Sequence, residues 1–353
     1  MTVSLAASGS ITFRELGHEV SWVGDCPWTG GICLGTETGE ILFCRDEGGS
    51  WLVVIEVSAA VDAINGVAFS RDYMGVTTRS GVKLFQFHRA SGSLVPHDGR
   101  HDGAHDIVSS NRGYFFAPMG GHGFLRIDPA GATDRRFALE TPAHGSLDFY
   151  KMISLKTEGP SDEIACAART TGLLLLRSDV VRPTEIVGWS SPGKDFVDLC
   201  SLPSTVGPRA VVGLTTDRTL VLVRDLRDDQ ERPQTITLDA LGGIAYSIVG
   251  TENHLFVLTS RHLIDLSDLL TWCVGGSLDH QPCGYRFTEI EASDIYVLKE
   301  RVLAAILDDR LRLFELPGLA LVGASRISPL SEKWKESDYS PRVQCPTLRR
   351  IAC

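Results

Sequence analysis

The sequence has no long apolar run, no basic cluster and no glycosylation site. No stretch approaches the 18 or more apolar residues of a membrane-spanning helix, and no Asn-x-Ser/Thr sequon occurs. The opening residues MTVSLAASGSITF lack the basic and apolar regions of a secretion signal. The formal net charge of −10 disfavours the phosphate attraction on which nucleic-acid binders rely. We therefore expect a cytoplasmic protein that binds neither a membrane nor, directly, nucleic acid.

The usual motifs of catalysis and nucleotide binding are also missing. No Gly-x-Ser-x-Gly motif is present, and no Cys has an evident neighbour that would activate it. The segment GWSSPGKD (188–195) nearly forms a phosphate-binding loop, but Asp195 replaces the Ser or Thr that would hold magnesium. The residues that follow, DFVDLCSL, predict a strand and not the helix such a loop needs. We expect no enzymatic activity, no catalytic residues and no cofactor.

Two groups of residues are of the types that bind metals, but their spacing or predicted local structure does not match a metal site. In HDGRHDGAHD, His97, His101 and His105 recur every fourth residue, but Gly99 and Gly103 argue against a helix that would align them. This segment is predicted to be a polar loop without a metal. Cys273, His280 and Cys283 lack the tight Cys-x-x-Cys spacing of zinc sites. The acidic pairs are predicted to form turns: Asp228 with Asp229, and Asp308 with Asp309.

The nine cysteines are an odd number, and several of them sit in apolar, strand-like runs. This setting predicts reduced, buried thiols at Cys33, Cys44, Cys166 and Cys200. Among the tryptophans, Trp189 and Trp272 are predicted to pack in the core and Trp334 to be exposed in a tail.

What the chain does contain is a repeat and many glycines. The 35 Gly are typical of a protein with many tight turns between short strands. An apolar strand, a short polar turn and a second apolar strand recur seven times at steps of roughly 42 to 49 residues, in 32–46, 73–87, 114–128, 164–179, 210–225, 255–268 and 302–316. Further strand-like runs flank each hairpin. The sequence therefore predicts an all-β fold, a seven-bladed β-propeller with four-stranded antiparallel blades.

Two segments compete to close the predicted ring. ITFREL (11–16) would pair with the last blade from the N-terminal side, and LALVGASRI (319–327) would complete that blade from its own side. We favour the N-terminal closure. We predict a single propeller over 1–327, and after Ile327 a tail over 328–353 that is rich in Ser, Pro and charge and is either rim-packed or disordered.

The residues of the first two units resemble the WD-repeat family. Gly17 and His18 stand where that family has its Gly-His pair, and VAFSRD (67–72) is similar to its strand-ending turn. The motifs are degenerate, because no Trp-Asp dipeptide occurs. The resemblance implies structural roles in buried hydrogen-bond networks for His18, His105 and His144.

The repeat and the missing catalytic motifs favour a binding module over an enzyme. We expect a scaffold or recognition subunit of a multiprotein complex that binds a protein or peptide through one face of the ring or through its blade edges. Two alternatives stay open. One is a metal-dependent lactonase or hydrolase with a site at the central channel. The other is a sensor subunit for a separate effector.

Overall fold

The structure is a computed structural model of the 353-residue chain. It describes residues 4–6, 9–46, 50–88, 93–101, 103–130, 135–137, 140–141, 145–156, 159–169, 171–179, 184–190, 193–228, 230–238, 243–267, 269–270, 285–299, 302–316 and 326–328. No helix within these residues has both the length and the apolar character to cross a membrane.

Short elements precede the first blade. They are β1 (Ser4–Ala6), β2 (Gly9–Thr12) and one helical turn, α1 (Phe13–Leu16). Blade 1 follows with β3 (Val20–Cys26), β4 (Gly31–Thr36), β5 (Glu40–Asp46) and β6 (Ser50–Ser58). Blade 2 contains β7 (Ile64–Ser70), β8 (Tyr73–Thr78), β9 (Gly81–His88) and β10 (Ser93–His101). Blade 3 contains β11 (Val108–Ser109), β12 (Phe115–Pro118), β13 (Phe124–Ile127) and β14 (Arg135–Phe137). A small hairpin, β15 (Glu140–Thr141) and β16 (Gly145–Ser146), leads to the next blade.

The remaining blades repeat the same order. Blade 4 contains β17 (Phe149–Leu155), β18 (Asp162–Ala168), β19 (Gly172–Ser178) and β20 (Glu185–Ser190). Blade 5 contains β21 (Phe196–Ser201), β22 (Val211–Thr215), β23 (Thr219–Val223) and β24 (Gln234–Thr237). Blade 6 contains β25 (Ala245–Gly250), β26 (Leu255–Thr259), β27 (His262–Asp265) and β28 (Tyr285–Glu289). Blade 7 contains β29 (Asp294–Leu298), β30 (Val302–Ile306) and β31 (Arg310–Glu315), and a last strand, β32 (Arg326–Ser328), follows.

Each blade is an antiparallel sheet whose first strand lies at the centre of the ring. The prediction of seven four-stranded blades is confirmed, with β1 and β32 added as fifth strands on blades 1 and 6. The second and third strands are buried on both sides. Their sequences are therefore continuous apolar runs and do not alternate between apolar and polar residues.

The core consists of seven apolar clusters, each between two neighbouring blades. One of them joins the last blade to the first, where Ile306 and Leu311 of blade 7 pack with Val23 and Leu34 of blade 1. The ring is therefore closed by side-chain packing as well as by strand pairing, and no blade buries its faces alone.

The N-terminal segment completes blade 7. Strand β2 pairs with β31, from Gly9 opposite Leu313 to Thr12 opposite Arg310. The favoured closure is confirmed, although the strand ends at Thr12 and the rest of the predicted strand forms α1. Strand β32 instead pairs with β28 of blade 6, because β2 already covers the outer edge of blade 7. Residues 317–325 and 329–353, including Trp334, lie outside the described residues.

Candidate functional site: the central channel

The first strands of the blades bring side chains from the whole ring to one central channel. In blades 1, 2, 4, 5 and 6 the pairing between first and second strand shifts register near the start of the first strand. Such a bulge leaves one residue unpaired and changes the direction of the next side chain. The positions just after these shifts, and their equivalents in blades 3 and 7, form what we call the inner ring: Trp22, Gly66, Asp106, Lys151, Asp198, Ser247 and Asp294.

All members of the inner ring except Gly66 line a cavity of about 820 Å³. The ring carries three carboxylates and one ammonium group. Asp106, Asp198 and Asp294 come from alternate blades, and Lys151 lies between the first two of them. The charges of the inner ring are therefore contributed by residues one or two blades apart in sequence.

The Lys151 ammonium is held by carboxylates from the two neighbouring blades. Its Nζ lies 2.6 Å from Asp106 Oδ2 and 3.9 Å from Asp198 Oδ1. Burial lowers the pKa of Lys151, but the carboxylates of Asp106 and Asp198 outweigh burial and the pKa lies above its ordinary value. Lys151 is therefore a permanent cation that links blades 3, 4 and 5.

Asp198 connects three blades. Its Oδ2 accepts a hydrogen bond from Ile248 N of blade 6 at 2.8 Å, and its Oδ1 accepts one from Leu199 N at 2.9 Å. Burial raises the pKa of Asp198 to about 6, in spite of the lowering effect of Lys151 and of the bond from Ile248. Asp294 adds to this rise because it is a second negative charge nearby.

On the blade 7 side of the channel, Asp294 accepts two hydrogen bonds from its own strand. Its Oδ1 accepts from Ile295 N at 2.9 Å, and its Oδ2 accepts from the Tyr296 hydroxyl at 2.8 Å. The Tyr296 ring meets Trp22 of blade 1 edge-on, with 6.2 Å between ring centroids. This side of the channel thus combines a carboxylate with two aromatic side chains.

One mouth of the channel contains a stack of three side chains. The His105 ring lies parallel to the Tyr150 ring at 5.1 Å, and the Arg169 guanidinium lies 5.1 Å from the Tyr150 centroid. Arg169 Nε is 3.6 Å from Asp195 Oδ1. Burial lowers the pKa of His105 and raises the pKa of Tyr150, so both are neutral near pH 7.

The three histidines predicted from HDGRHDGAHD lie in different surroundings. His97 and His101 belong to β10, the outer strand of blade 2, opposite Leu84 and Val82. His97 is exposed against Tyr73, whereas His105 lies at the channel. The loop predicted for HDGRHDGAHD is therefore wrong over 97–101, because these polar residues continue the outer strand. The described residues contain no group of three or more His, Cys, Asp or Glu suited to a metal, and the absence of metal binding stays a prediction.

His18 and Trp189 occupy structural positions. His18 lies between Glu40 and Glu56, with 3.7 Å and 3.6 Å between its ring nitrogens and the nearest carboxylate oxygens. Trp189 is half-buried against the cluster between blades 3 and 4 and donates to Thr171 O at 2.7 Å. The structural role expected of His105 is only partly matched, since it stacks on Tyr150 but lines the channel.

The predicted thiols are buried and free, as expected. This holds for Cys33, Cys44, Cys166 and Cys200 and also for Cys26. Burial raises the pKa of Cys44 to about 12 and that of Cys33 well above its ordinary value. These thiols are therefore unreactive in the folded chain.

The remaining sequence candidates form turns and strands or lie outside the described residues. Asp195 directly precedes strand β21, so the strand predicted after GWSSPGKD in place of a helix is confirmed, and the absence of nucleotide binding there stays a prediction. Asp228 caps a turn by accepting from Gln230 N, and Asp308 and Asp309 lie in the turn before β31. Several candidates lie outside the described residues: His144, Asp229, Trp272, Cys273, His280 and Cys283.

Sequence reasoning missed the inner ring. Asp106, Asp198 and Asp294 each precede an Ile or Leu about two blade lengths apart. Aligning the sequences of the seven first strands would have placed these three carboxylates at equivalent positions.

No family model matches the chain, and no curated protein matches its sequence. Solved structures do resemble it. The WD40 β-propeller domain of Doa1 matches with a TM-score of 0.58 and 10% identity, over 90% of this chain and 98% of that chain. The Cps50 (Swd1) propeller domain of Myceliophteria thermophila matches with a TM-score of 0.56 and 12% identity, over 88% and 98% of the two chains.

Virginiamycin B lyase from Staphylococcus aureus is similar to the same degree. Its TM-score is 0.56 at 11% identity, over 88% of this chain and 97% of the lyase. Since both WD40 domains and a lyase resemble the chain at such low identity, the likeness concerns the fold and not the activity. The chain is therefore a seven-bladed β-propeller, the fold that it shares with WD40 domains and with the lyase.

Proposed function

We propose that this chain is a non-catalytic interaction platform that binds a protein or peptide partner at one face of the ring, as a subunit of a larger complex. The WD40-like architecture supports a general role in protein interactions. The face we propose is the one at which the first strands begin and the turns between second and third strands lie. We call it the entry face.

Exposed apolar side chains on the entry face carry the proposal. Within the described residues the exposed large hydrophobic side chains are Val61 (90% exposed), Val95 (44%) and Ile244 (42%). Val61 lies three residues before β7 and Ile244 directly before β25, both on the entry face, whereas Val95 lies on the outer strand of blade 2. Arg79 and Arg169 lie in turns of the same face and line the channel. A mixture of exposed apolar and Arg side chains is typical of binding surfaces.

The experiment compares matched surface substitutions. The full chain and its Val61→Glu, Ile244→Glu and Val95→Glu variants are used as bait in cells that express it, and the recovered partner is then purified for affinity measurements. We expect the wild type and Val95→Glu to retain a stoichiometric partner, and the two entry-face variants to bind it at least about tenfold more weakly. All three positions are exposed, so folding is unaffected. Recovery of no stoichiometric partner, or equal retention by all variants, would falsify the proposal, and loss only in Val95→Glu would move the interface to the blade edge.

The alternative of a channel enzyme requires carboxylates that converge on a metal. Asp106 and Asp198 do line the channel, but the Lys151 ammonium occupies the space between them. This arrangement disfavours a metal at that point, because a cation of the chain itself already neutralises the ligands. Metal-dependent hydrolysis of a lactone or ester that is abolished in Asp198→Asn would support the enzyme instead.

We also propose a reducing compartment such as the cytoplasm. Buried free thiols in three different blades are compatible with a chain that does not depend on disulfides. Localisation of a fluorescent fusion would test this placement.

A further inference from the structure

The outer edges of the blades are not all protected in the same way. Blades 1 and 6 carry a fifth strand, β1 or β32, on their fourth strand, and blade 7 ends in β2, which begins with the weak strand former Gly9. In blades 2, 3, 4 and 5 no described strand pairs with the outer edge of the fourth strand. Such an edge is a template for pairing with another chain, and proteins usually protect it with charges or bulges.

Three of these four open edges carry that protection. Strand β10 is charged, and its pairing with β9 shifts register. Strand β14 begins with Arg135 and Arg136, and β20 begins with Glu185 and shifts register against β19. Strand β24 in blade 5 has the sequence QTIT (234–237), with no charge and no register shift. Blade 5 therefore has the least protected of the four edges.

Thr235 and Thr237 direct their backbone groups away from blade 5. Hydrogen bonds between antiparallel strands recur at every second residue. Leu238 N donates to Arg218 O at 2.9 Å, so Ile236 also bonds to β23, and the two threonines do not. The side chains of both threonines are exposed. Their N–H and C=O groups therefore form an open ladder of two donors and two acceptors.

This open ladder is complementary to itself. When two copies of β24 lie antiparallel with Ile236 opposite Ile236, each Thr235 lies opposite the Thr237 of the other copy. Both threonines face outward, so each such pair exchanges two N–H···O bonds, and the twofold symmetry of the contact gives four. The side chains also match, since Ile faces Ile on one side of the sheet and Thr faces Thr on the other.

We propose that two copies of this chain associate by antiparallel pairing of their β24 strands, which joins blade 5 of each ring into one continuous sheet. Ile236 is half-buried against the cluster between blades 5 and 6, and the Ile236 of the second copy covers part of what is left exposed. The outer surface of a ring is convex, so the other blades diverge from the contact. The inference goes beyond the proposed function, because the edge of blade 5 is separate from the entry face and leaves that face open.

Short strands suffice at the edges of this ring. Strand β1 pairs with β6, and β32 pairs with β28, through three residue pairs each, whereas β24 offers four residues. Those two strands belong to the same chain, but a second copy must come from solution. The contact is also smaller than a standard interface between proteins, so we expect a reversible dimer with a dissociation constant in the micromolar range.

The first measurement is the oligomeric state of the full chain. Sedimentation velocity is recorded from micromolar to submillimolar concentration, in salt of about 0.15 M that screens the repulsion between two chains of net charge −10. We expect a monomer at the lowest concentration and a reversible dimer at the highest. A chain that stays monomeric over the whole range would overturn the proposal.

Amide hydrogen exchange locates the contact within the chain. The Thr235 and Thr237 amides point away from β23, whereas the Ile236 amide bonds to it. We expect exchange of the two threonine amides, followed by NMR, to slow in proportion to the fraction of monomer as the concentration rises. The Ile236 amide should be protected at every concentration. Dimerisation without slower exchange at the threonines would place the contact elsewhere and overturn the proposal.

Thr235→Pro removes one outward N–H from each copy and with it two of the four hydrogen bonds. The pairing of β24 with β23 does not use that N–H, so the blade is retained. We expect self-association to be at least about tenfold weaker. Thr235→Lys places a charge on the edge and should act in the same direction. The matched control is Thr216→Lys in the exposed turn between β22 and β23, which should dimerise like the wild type.

The two variants at Thr235 keep the test decisive. Circular dichroism and melting temperature establish that each variant is folded, and if Thr235→Pro is not, Thr235→Lys decides. A dimer that a folded variant at Thr235 leaves unchanged would overturn the proposal, and so would equal weakening by Thr216→Lys. A monomeric chain that captures a partner protein through this edge, and loses it in Thr235→Pro, would assign the edge to a strand of that partner instead of a second copy.

Discussion

Lys151 is the positively charged member of the inner ring, and the other charged members are the carboxylates of Asp106, Asp198 and Asp294. Its bond to Asp106 and its proximity to Asp198 link three blades at the centre of the molecule. The side chain is about one third exposed to the channel, so solvent screens part of this interaction. Its contribution to stability is therefore intermediate between that of a surface ion pair and that of a fully buried one.

Replacing Lys151 by Met should destabilise the fold. The substitution leaves Asp106 and Asp198 facing each other without the cation between them, and we expect the free energy of unfolding to fall by about 1–3 kcal/mol. Urea denaturation measures this change. Lys156, which is exposed just after β17, is the matched control, and Lys156→Met should stay within about 0.5 kcal/mol of the wild type. Equal effects of the two substitutions would show that the Lys151 ion pairs contribute nothing.

Asp198 should make the stability depend on pH in the opposite sense to an ordinary salt-bridged carboxyl. Its pKa is raised to about 6 in the folded chain, above that of an unfolded Asp, so between about pH 6 and pH 4 the folded state binds more protons. Acidification through this range therefore stabilises the fold relative to Asp198→Asn. The charged groups that face Asp198 are Lys151 and Asp294, and the thiol of Cys200 lies close by.

The measurement is the difference in unfolding free energy between wild type and Asp198→Asn at pH 7.5 and at pH 4.5. We expect the wild type to gain about 1–3 kcal/mol relative to the variant on acidification. A relative loss would mean that Lys151 lowers the pKa of Asp198 below its unfolded value.

Among the strands, β2 has an effect beyond its length. It provides the outer strand of blade 7 although it precedes blade 1 in sequence, and it therefore ties the two ends of the ring together. Without it, β31 would be an unprotected edge. Strand β1 in contrast only adds a fifth strand to blade 1, where it pairs with β6.

Two truncations separate these contributions. Removal of residues 1–8 deletes β1 alone, and removal of 1–12 deletes β2 as well. We expect the longer truncation to lose about 2–4 kcal/mol more than the shorter one, because four ladder residues and the closure of blade 7 are lost. Thermal denaturation of both chains measures the difference. Indistinguishable melting temperatures would show that β2 is not needed for closure.

The closed ring as a unit should unfold cooperatively. Each blade buries its faces against two neighbours, and the cluster between blades 7 and 1 completes the circle. Opening one blade thus exposes the apolar faces of the blades on both sides. This coupling distinguishes a closed propeller from an open repeat array, in which the ends open first.

Thiol labelling tests the cooperativity. Cys33 in blade 1, Cys166 in blade 4 and Cys200 in blade 5 are buried, and burial raises the pKa of each thiol. We expect an alkylating reagent to label all three at one slow rate set by global unfolding, as followed by mass spectrometry of their peptides. Rapid labelling of Cys33 with protection of Cys166 would show that blades open independently.

The blade hairpins and the buried thiols were predictable because they follow from local patterns. An apolar strand, a tight turn and a second apolar strand specify a hairpin within some fifteen residues. The continuation of the outer strand of blade 2 over 97–101 was mispredicted as a loop, since HDGRHDGAHD has neither alternation nor β-branched residues. It is held as a strand by pairing with β9. The boundary between strand and helical turn at Thr12 likewise depends on where β31 ends its pairing.

The sequence by itself determined the number of blades, the order of the strands and the burial of the core, because each is a matter of short-range apolar periodicity. Only the tertiary structure decided which residues meet in the channel. Asp106, Lys151, Asp198 and Asp294 are separated by one or two blades in the chain, and none stands in a local motif. Their juxtaposition depends on ring closure and on the register shifts that turn each first strand toward the axis. Both are set by contacts between blades, which no local pattern contains.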